Sequence, residues 1–215
     1  MHPVCAAALC VCQMSAAATE IDSLGEGLAI WHRYDSAMKA EVFSTALPSA
    51  AGIYLVDPIA LPHEELTMVI GGRNVAGIIA TNANHERAAL IFAERLAAPL
   101  YASAAAQITK ALAIEDGQSL TSDVVAISIE GAGPGEIALQ CRRSGGTLVV
   151  GDALINFGSH GFDYLPAKYA TDPTLMRKSL RKLLNFSFER ILFAHGNPLV
   201  SRARERLIAL LESNA

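Results

Sequence analysis

Long apolar runs are missing from this chain. Its apolar segments are short and end at Gly, Pro or a charged residue. A membrane-spanning helix needs about 20 consecutive apolar residues, so none is expected. An excess of positive charge is missing too. Seventeen Lys and Arg face 21 Asp and Glu, a net charge of −4, which argues against a broad nucleic-acid surface. Paired cysteines are absent. There are four cysteines and no Cys-x-x-Cys, which excludes a zinc ribbon or a thioredoxin motif. No Gly-x-Gly-x-x-Gly opens a helix, and no Gly-x-Ser-x-Gly elbow surrounds Ser103, Ser122 or Ser159. Dinucleotide binding and serine hydrolysis are therefore unsupported.

What is present is the composition of a packed domain. Of 215 residues, 52% are hydrophobic and 18% charged, which excludes a disordered chain or a coiled coil and allows a full core. Residues 1–20 stand apart. Residues 1–18 are apolar and uncharged apart from His2, and hold Cys5, Cys10 and Cys12 with no periodic pattern. Without a basic start they fit a secretory signal poorly, although Ala16, Ala17 and Ala18 suit a cleavage site. They read as a disordered or misassigned segment, with Met14 as an alternative start. The body, residues 21–215, reads as one domain of a reduced, cytoplasmic protein.

Along that body, β-branched and aromatic runs predict strands at 28–31, 42–46, 52–56, 66–70 and 77–80. A helix is expected over 86–98, with Ala89, Phe92, Ala93 and Leu96 on one face and Pro99 as its stop. Strands follow at 124–129, 137–141 and 147–151, the last two joined by Ser144-Gly145-Gly146 as a hairpin. A helix opens at Asp172-Pro173, with Asp as cap and Pro in the first turn. A strand at 190–194 and a helix over 198–212 close the chain. Two packed β layers with helices outside is the natural architecture.

Three polar stretches follow directly on predicted strands: Thr81-Asn82-Ala83-Asn84-His85-Glu86-Arg87, Gly151-Asp152-Ala153-Leu154 and Ala194-His195-Gly196-Asn197-Pro198. Loops at strand ends are the usual place for a site, because the sheet fixes them. Their order and spacing, together with Gly52-Ile53-Tyr54-Leu55-Val56-Asp57-Pro58 and Gly133-Pro134-Gly135-Glu136-Ile137-Ala138-Leu139, resemble the metallo-β-lactamase-fold superfamily over nearly the whole body. The resemblance implies an α/β (α+β) fold, an αββα four-layer sandwich. It also implies zinc ligands from a Thr-His-x-His-x-Asp-His loop, a Gly-Asp motif and a final His.

The departures are chemical. Asn82 and Asn84 stand where the family has its first two His, Ala132 at the third, Glu86 at the loop Asp and Arg87 at the His after it. Asp152 and His195 match the family. Amides are poor zinc ligands and a guanidinium is none. The expectation is therefore a degenerate site without metal. In it Arg87 forms a salt bridge to Asp152 or Glu86 in a pocket of Asn82, Asn84, His85, Glu86, Arg87, Asp152, His160 and His195. The protein then binds a small molecule or another protein. The alternative is a mononuclear site for zinc or another divalent metal on Glu86, Asp152 and His195, joined by His85 or His160. Asp152 and His195 would then be the catalytic pair, and the bond hydrolysed an ester, thioester or lactam. His160 reads as a ligand, a general base or a plain loop residue. Asp57 reads as a support for the site loops. Arg177, Lys178, Arg181 and Lys182 read as a solvated helix face.

Overall fold

Alternation along the strands dictates the layering. In β4 (Gly52–Val56), Ile53 and Leu55 point one way and Tyr54 and Val56 the other, and all four are buried. In β8 (Val124–Ser128), Val125 and Ile127 face one core while Val124 and Ala126 face another. A strand that is apolar on both faces must be covered on both, which requires four layers.

The computed structural model describes residues 20–158 and 160–213. A seven-stranded sheet runs in the order β1 (Glu20–Gly25), β2 (Leu28–Asp35), β3 (Ala40–Ser49), β4, β5 (Val75–Ile79), β6 (Leu100–Ser103) and β7 (Leu112–Ile114). A four-stranded sheet has β13 (Arg190–Phe193), β10 (Thr147–Val150), β9 (Ile137–Cys141) and β8 side by side. The short hairpin of β11 (Leu154–Phe157) and β12 (Gly161–Tyr164) stands apart. Helices α1 (His63–Ile70) and α2 (Ala89–Leu96) cover the first sheet, through Leu66, Val69, Phe92 and Ala93 on Ile53, Leu55 and Ile78. Helices α3 (Pro173–Leu180) and α4 (Ala203–Ser213) cover the second, through Met176, Leu180, Leu207 and Leu211 on Leu148, Val150 and Ile191. Between the sheets lie Ile30, Phe43, Leu47, Tyr54, Ile79, Ile137, Leu139 and Leu192.

The αββα sandwich agrees with the sequence reading, as does the hairpin at 144–146, where β9 and β10 pair antiparallel. Asp172 caps α3 through the backbone N–H groups of Thr174 and Leu175. Three elements differ. Residues 66–70 form the end of α1, not a strand. Leu66 and Val69 are one helical turn apart and buried, Met68 is exposed, and left-handed Gly71 closes the turn. The helix expected from 86 begins at Ala89, because 83–85 form a 3₁₀ turn and Arg87 takes a φ of +42°. The last helix begins at Ala203, because Leu199 is drawn into backbone pairing with Ile191. Of the N-terminal segment, residues 1–19 lie outside the described residues and Glu20 opens β1. Among the described residues no helix is long and apolar enough to cross a membrane.

The layout gathers the polar loops at one edge. β4 and β5 are parallel neighbours, and so are β10 and β13. All four end on the same side, and each delivers its next residues there. The sheets are tied at this edge by the Phe43 N–H donating to the Ala194 carbonyl at 2.9 Å and the Ile137 N–H donating to the Thr81 carbonyl at 2.8 Å.

Leu139 is fully buried between the sheets, whereas Met68 is 69% exposed. Leu139→Ala is expected to cost about 2–5 kcal/mol in urea unfolding, and Met68→Ala to stay within about 0.5 kcal/mol of wild type.

Candidate metal centre

Asp57, the residue after β4, begins the site. It is buried with a φ of +48°, a left-handed conformation that Asp tolerates better than most residues. Its Oδ1 accepts the Thr81 backbone N–H at 2.7 Å, and its Oδ2 accepts the Thr81 hydroxyl at 2.6 Å. The 3₁₀ turn after β5 then carries His85 inward. His85 Nδ1 lies 3.0 Å from Asp57 Oδ2 and 2.9 Å from Thr81 Oγ1. The Thr81 hydroxyl gives its proton to Asp57, so both neighbours of Nδ1 accept, and Nδ1 carries a proton. That leaves Nε2 facing the opposite way.

On that side are Asp152 and His195. Asp152 follows Gly151 at the end of β10, and His195 follows β13. His85 Nε2 is 3.1 Å from Asp152 Oδ1, and His195 Nε2 is 3.2 Å from the same oxygen. The two imidazole rings are 5.4 Å apart. Ligand atoms of the three residues all fall within 4.8 Å of one another. His85 lies deepest, its side chain 3% exposed, while His195 and Asp152 line the mouth at 12% and 13%. Phe157 flanks His195 with ring centres 6.5 Å apart.

Gly151 is required by the close approach of three strands. A Cβ there would lie 2.5 Å from Thr81 Oγ1 and 2.8 Å from Glu136 Oε1. Gly196, after His195, has a φ of +97° and its Cβ would meet the Asn156 carbonyl at 2.3 Å. These two glycines let the loops that carry Asp152 and His195 close on their neighbours.

Charges in the site are strongly coupled. Burial opposes a charge on His85, but the carboxylates of Asp57 and Asp152 outweigh it and raise its pKa to about 9. Asp152 is pushed up by burial, yet the close approach of the His195 and His85 ring nitrogens prevails and holds it far below the usual carboxylate range. His195 is pushed down, first by burial and further by the charges of His85 and Arg87. Glu136, buried beside Asp152, is raised to about 8, chiefly by burial and then by the charge of Asp152. At neutral pH the preferred state has His85 charged, His195 neutral, Asp57 and Asp152 ionised and Glu136 protonated.

Several expectations are corrected here. Arg87 makes no salt bridge to Asp152 or Glu86. Its Nη1 donates to the carbonyls of Phe43 at 2.5 Å and Asp57 at 3.0 Å, and its Nη2 to that of Ala194 at 3.4 Å. Its backbone is left-handed, and the guanidinium reaches main-chain carbonyls of β3, of the residue after β4 and of the residue after β13. The converging group contains His85 in place of Glu86, which is half-buried and lies outside it. Asn84 is exposed, and it is its backbone N–H that donates to Asn82 Oδ1. His160 is exposed in the turn between β11 and β12, away from the group. Asn82 and His195 both lie against Asp152. The sequence reading gave Glu136 no role. Its Oε2 accepts from Asn82 Nδ2 at 2.6 Å and its Oε1 from the Ala153 N–H at 3.0 Å. The available sign was one carboxylate at the entry of the apolar strand 137–141.

The donor set suits a divalent cation. Two imidazoles and a carboxylate with an open side is a common arrangement for catalytic zinc. Bond lengths of about 2.0–2.1 Å put neighbouring tetrahedral ligands about 3.3–3.4 Å apart, close to the 3.1 and 3.2 Å between the two ring nitrogens and Asp152 Oδ1. His85 Nε2 is buried without a hydrogen-bond partner among the described residues, since Asp152 Oδ1 lies off the line such a bond needs. A histidine whose other nitrogen is held by a carboxylate, as Asp57 holds His85, is the usual surround of a metal ligand.

A four-layer sandwich with its site at the strand ends between the two sheets defines a class of fold. The sequence matches the metallo-beta-lactamase superfamily over residues 23–213, and the chain belongs to that family. No curated protein matches it. Solved structures with the same fold include DIM-1 metallo-beta-lactamase, at 13% identity and a TM-score of 0.71, covering 91% of this chain and 98% of that one. A metallo beta lactamase from Erythrobacter litoralis with beta mercaptoethanol in its active site aligns at 16% identity and 0.70, over 90% and 96%. FIM-1 from Pseudomonas aeruginosa, in a mono-zinc form, aligns at 14% and 0.69, over 94% and 97%.

Two predictions follow from packing and charge. Gly151→Ala forces its methyl onto Thr81 and Glu136, and is expected to cost about 1–3 kcal/mol in urea unfolding. For the metal-free protein, His85 and Glu136 both hold protons in the fold that the unfolded chain releases at lower pH. Their contribution is therefore lost as pH rises through about 8 to 9. Depressed His195 acts only below its ordinary value of 6.5. Calorimetry of chelator-treated protein is expected to show Tm falling between pH 6.5 and 9.

Proposed function

We propose that the protein is a metal-dependent hydrolase that holds a single divalent cation on His85, Asp152 and His195. The observation that carries this reading is the buried, unpartnered Nε2 of His85, which faces Asp152 Oδ1 at 3.1 Å with His195 beside it. A divalent cation held there supplies Lewis acidity and lowers the pKa of a water molecule.

The chain's own residues set the conditions. Asp57 and Thr81 fix the His85 ring and keep its Nδ1 protonated, so that Nε2 is the ligating atom. His195 is neutral at working pH and ready to ligate. Asp152 stays ionised throughout. His85 must release its Nε2 proton, so affinity for the metal rises with pH up to about 9. Phe157 gives the mouth an apolar side, and the bond attacked is that of an ester, thioester or lactam. The mono-zinc form of FIM-1 shows that one member of the fold holds a single zinc.

A second reading has its own observation. A charged His85 between Asp57 and Asp152 balances the site with a proton in place of a metal, which suits a metal-free binding protein.

Metal content decides between them. Protein purified without chelator and dialysed against zinc is expected to hold about one equivalent by mass spectrometry, falling below about a tenth in His85→Ala and Asp152→Asn. Asp57→Asn is expected to weaken binding about 10–100-fold. The loaded protein is expected to cleave at least one chromogenic ester, thioester or lactam, and His85→Ala none. Less than about a tenth of an equivalent in wild type, with the fold intact, establishes the metal-free reading instead.

A further inference from the structure

Asn82 sits at the bottom of the site, fully buried and in extended backbone. Both donor hydrogens and the oxygen of its amide have partners. Nδ2 donates to Glu136 Oε2 at 2.6 Å and to Asp152 Oδ2 at 3.0 Å, and Oδ1 accepts the Asn84 N–H at 2.8 Å. A primary amide has two donor hydrogens, one for each carboxyl group. The opposite orientation of the amide would aim its oxygen at two carboxyl groups and its NH₂ at an N–H. The network therefore admits one orientation only.

Glu136 braces this arrangement. Its second oxygen accepts the N–H of Ala153, the residue after Asp152. Glu136 thus grips the Asp152 loop twice, through Asn82 and through the backbone. The two oxygens of Asp152 are left with different neighbours. Oδ2 belongs to Asn82, and Oδ1 faces His85 and His195.

We propose that Asn82, braced on Glu136, is a positioning residue that holds the Asp152 carboxylate with Oδ1 alone toward His85 and His195. Asp152 is then a one-oxygen ligand, with Oδ2 turned to the amide of Asn82 and away from the converging imidazoles. The consequence for metal binding rests on the functional reading above, whereas the hold of Asn82 on Asp152 does not. Freed from Asn82, the carboxylate turns and offers both oxygens, and coordination changes although no ligand has been removed.

Cobalt(II) is the probe, because its visible spectrum reports coordination number. Wild type is expected to bind one equivalent. Asn82→Ala is expected to bind one equivalent about 10–100-fold more weakly, with a changed visible spectrum and an unchanged far-ultraviolet circular dichroism. Glu136→Gln keeps the shape of the brace and loses one acceptor. It is expected to move affinity and spectrum in the same direction, and carries the comparison if Asn82→Ala does not fold. Two equivalents in wild type, or wild-type affinity and spectrum in the folded variants, overturn the proposal. If wild type binds no cobalt, the hydrolase reading falls and ring nitrogen NMR decides the positioning separately. Displaced His85 and His195 resonances in metal-free Asn82→Ala or Glu136→Gln sustain it, and unmoved ones overturn it.

Discussion

His85 stands between two carboxylates that come from different sheets. Asp57 ends a strand of the seven-stranded sheet and Asp152 a strand of the four-stranded one, and the ring spans the gap with about 3 Å on each side. Two ionised carboxyl groups enclosed in a protein are costly unless a positive charge and hydrogen bonds compensate them. The imidazole supplies both, as a proton carrier or as a ligand to a cation. The edge of the sandwich is arranged around that need. Thr81 donates to both oxygens of Asp57, Gly151 lets β10 approach, and Arg87 donates to carbonyls of both sheets' chain segments.

The layering was legible in the sequence because apolar alternation has one stable solution when both faces of a strand are buried. Residues 124–129 and 137–141 read as strands, and β8 and β9 form at Val124–Ser128 and Ile137–Cys141. The turn at 144–146 and the cap at Asp172 were legible because Gly and Asp act locally there. The failures have tertiary causes. Residues 66–70 have a strand's composition, but only a helix places Leu66 and Val69 together over β4. Leu199 fits the stripe of the last helix, yet it pairs with Ile191 on the edge strand β13. Propensity is a weak prior against such pairings.

The site was legible as a set of loops and less so as a set of contacts. Asn82, Asp152 and His195 were expected in one pocket from their positions along the strands, and both Asn82 and His195 lie against Asp152. The direction of a side chain within the loop 81–87 was not. That loop has a 3₁₀ turn followed by a left-handed residue, and each reverses the facing of its neighbours. The result carries His85 inward and leaves Glu86 outside the converging group. It also leads the guanidinium of Arg87 to carbonyls instead of carboxylates. Charge alone suggested that Arg87 pairs with Asp152. In the fold, however, Asp152 is already engaged by Asn82 and faced by two imidazoles, and the guanidinium reaches main-chain carbonyls, which share donors readily because each has two lone pairs.

Glu136 shows how a substitution in one loop places a demand on another. An imidazole at position 82 could not donate two hydrogens in one direction, whereas an amide can, and two carboxyl groups stand ready to accept them. Asn82 therefore does not merely lack a ligand atom. Its donors turn the floor of the site into a hydrogen-bonded platform, with Glu136 below and Asp152 above. Burial keeps Glu136 protonated near neutrality, so the platform adds little negative charge to a site that already contains Asp57 and Asp152. What remains open is the side bounded by His85, Asp152 and His195. There two imidazoles and one carboxylate oxygen converge, and the electrostatics favour a positive charge, whether a proton or a metal.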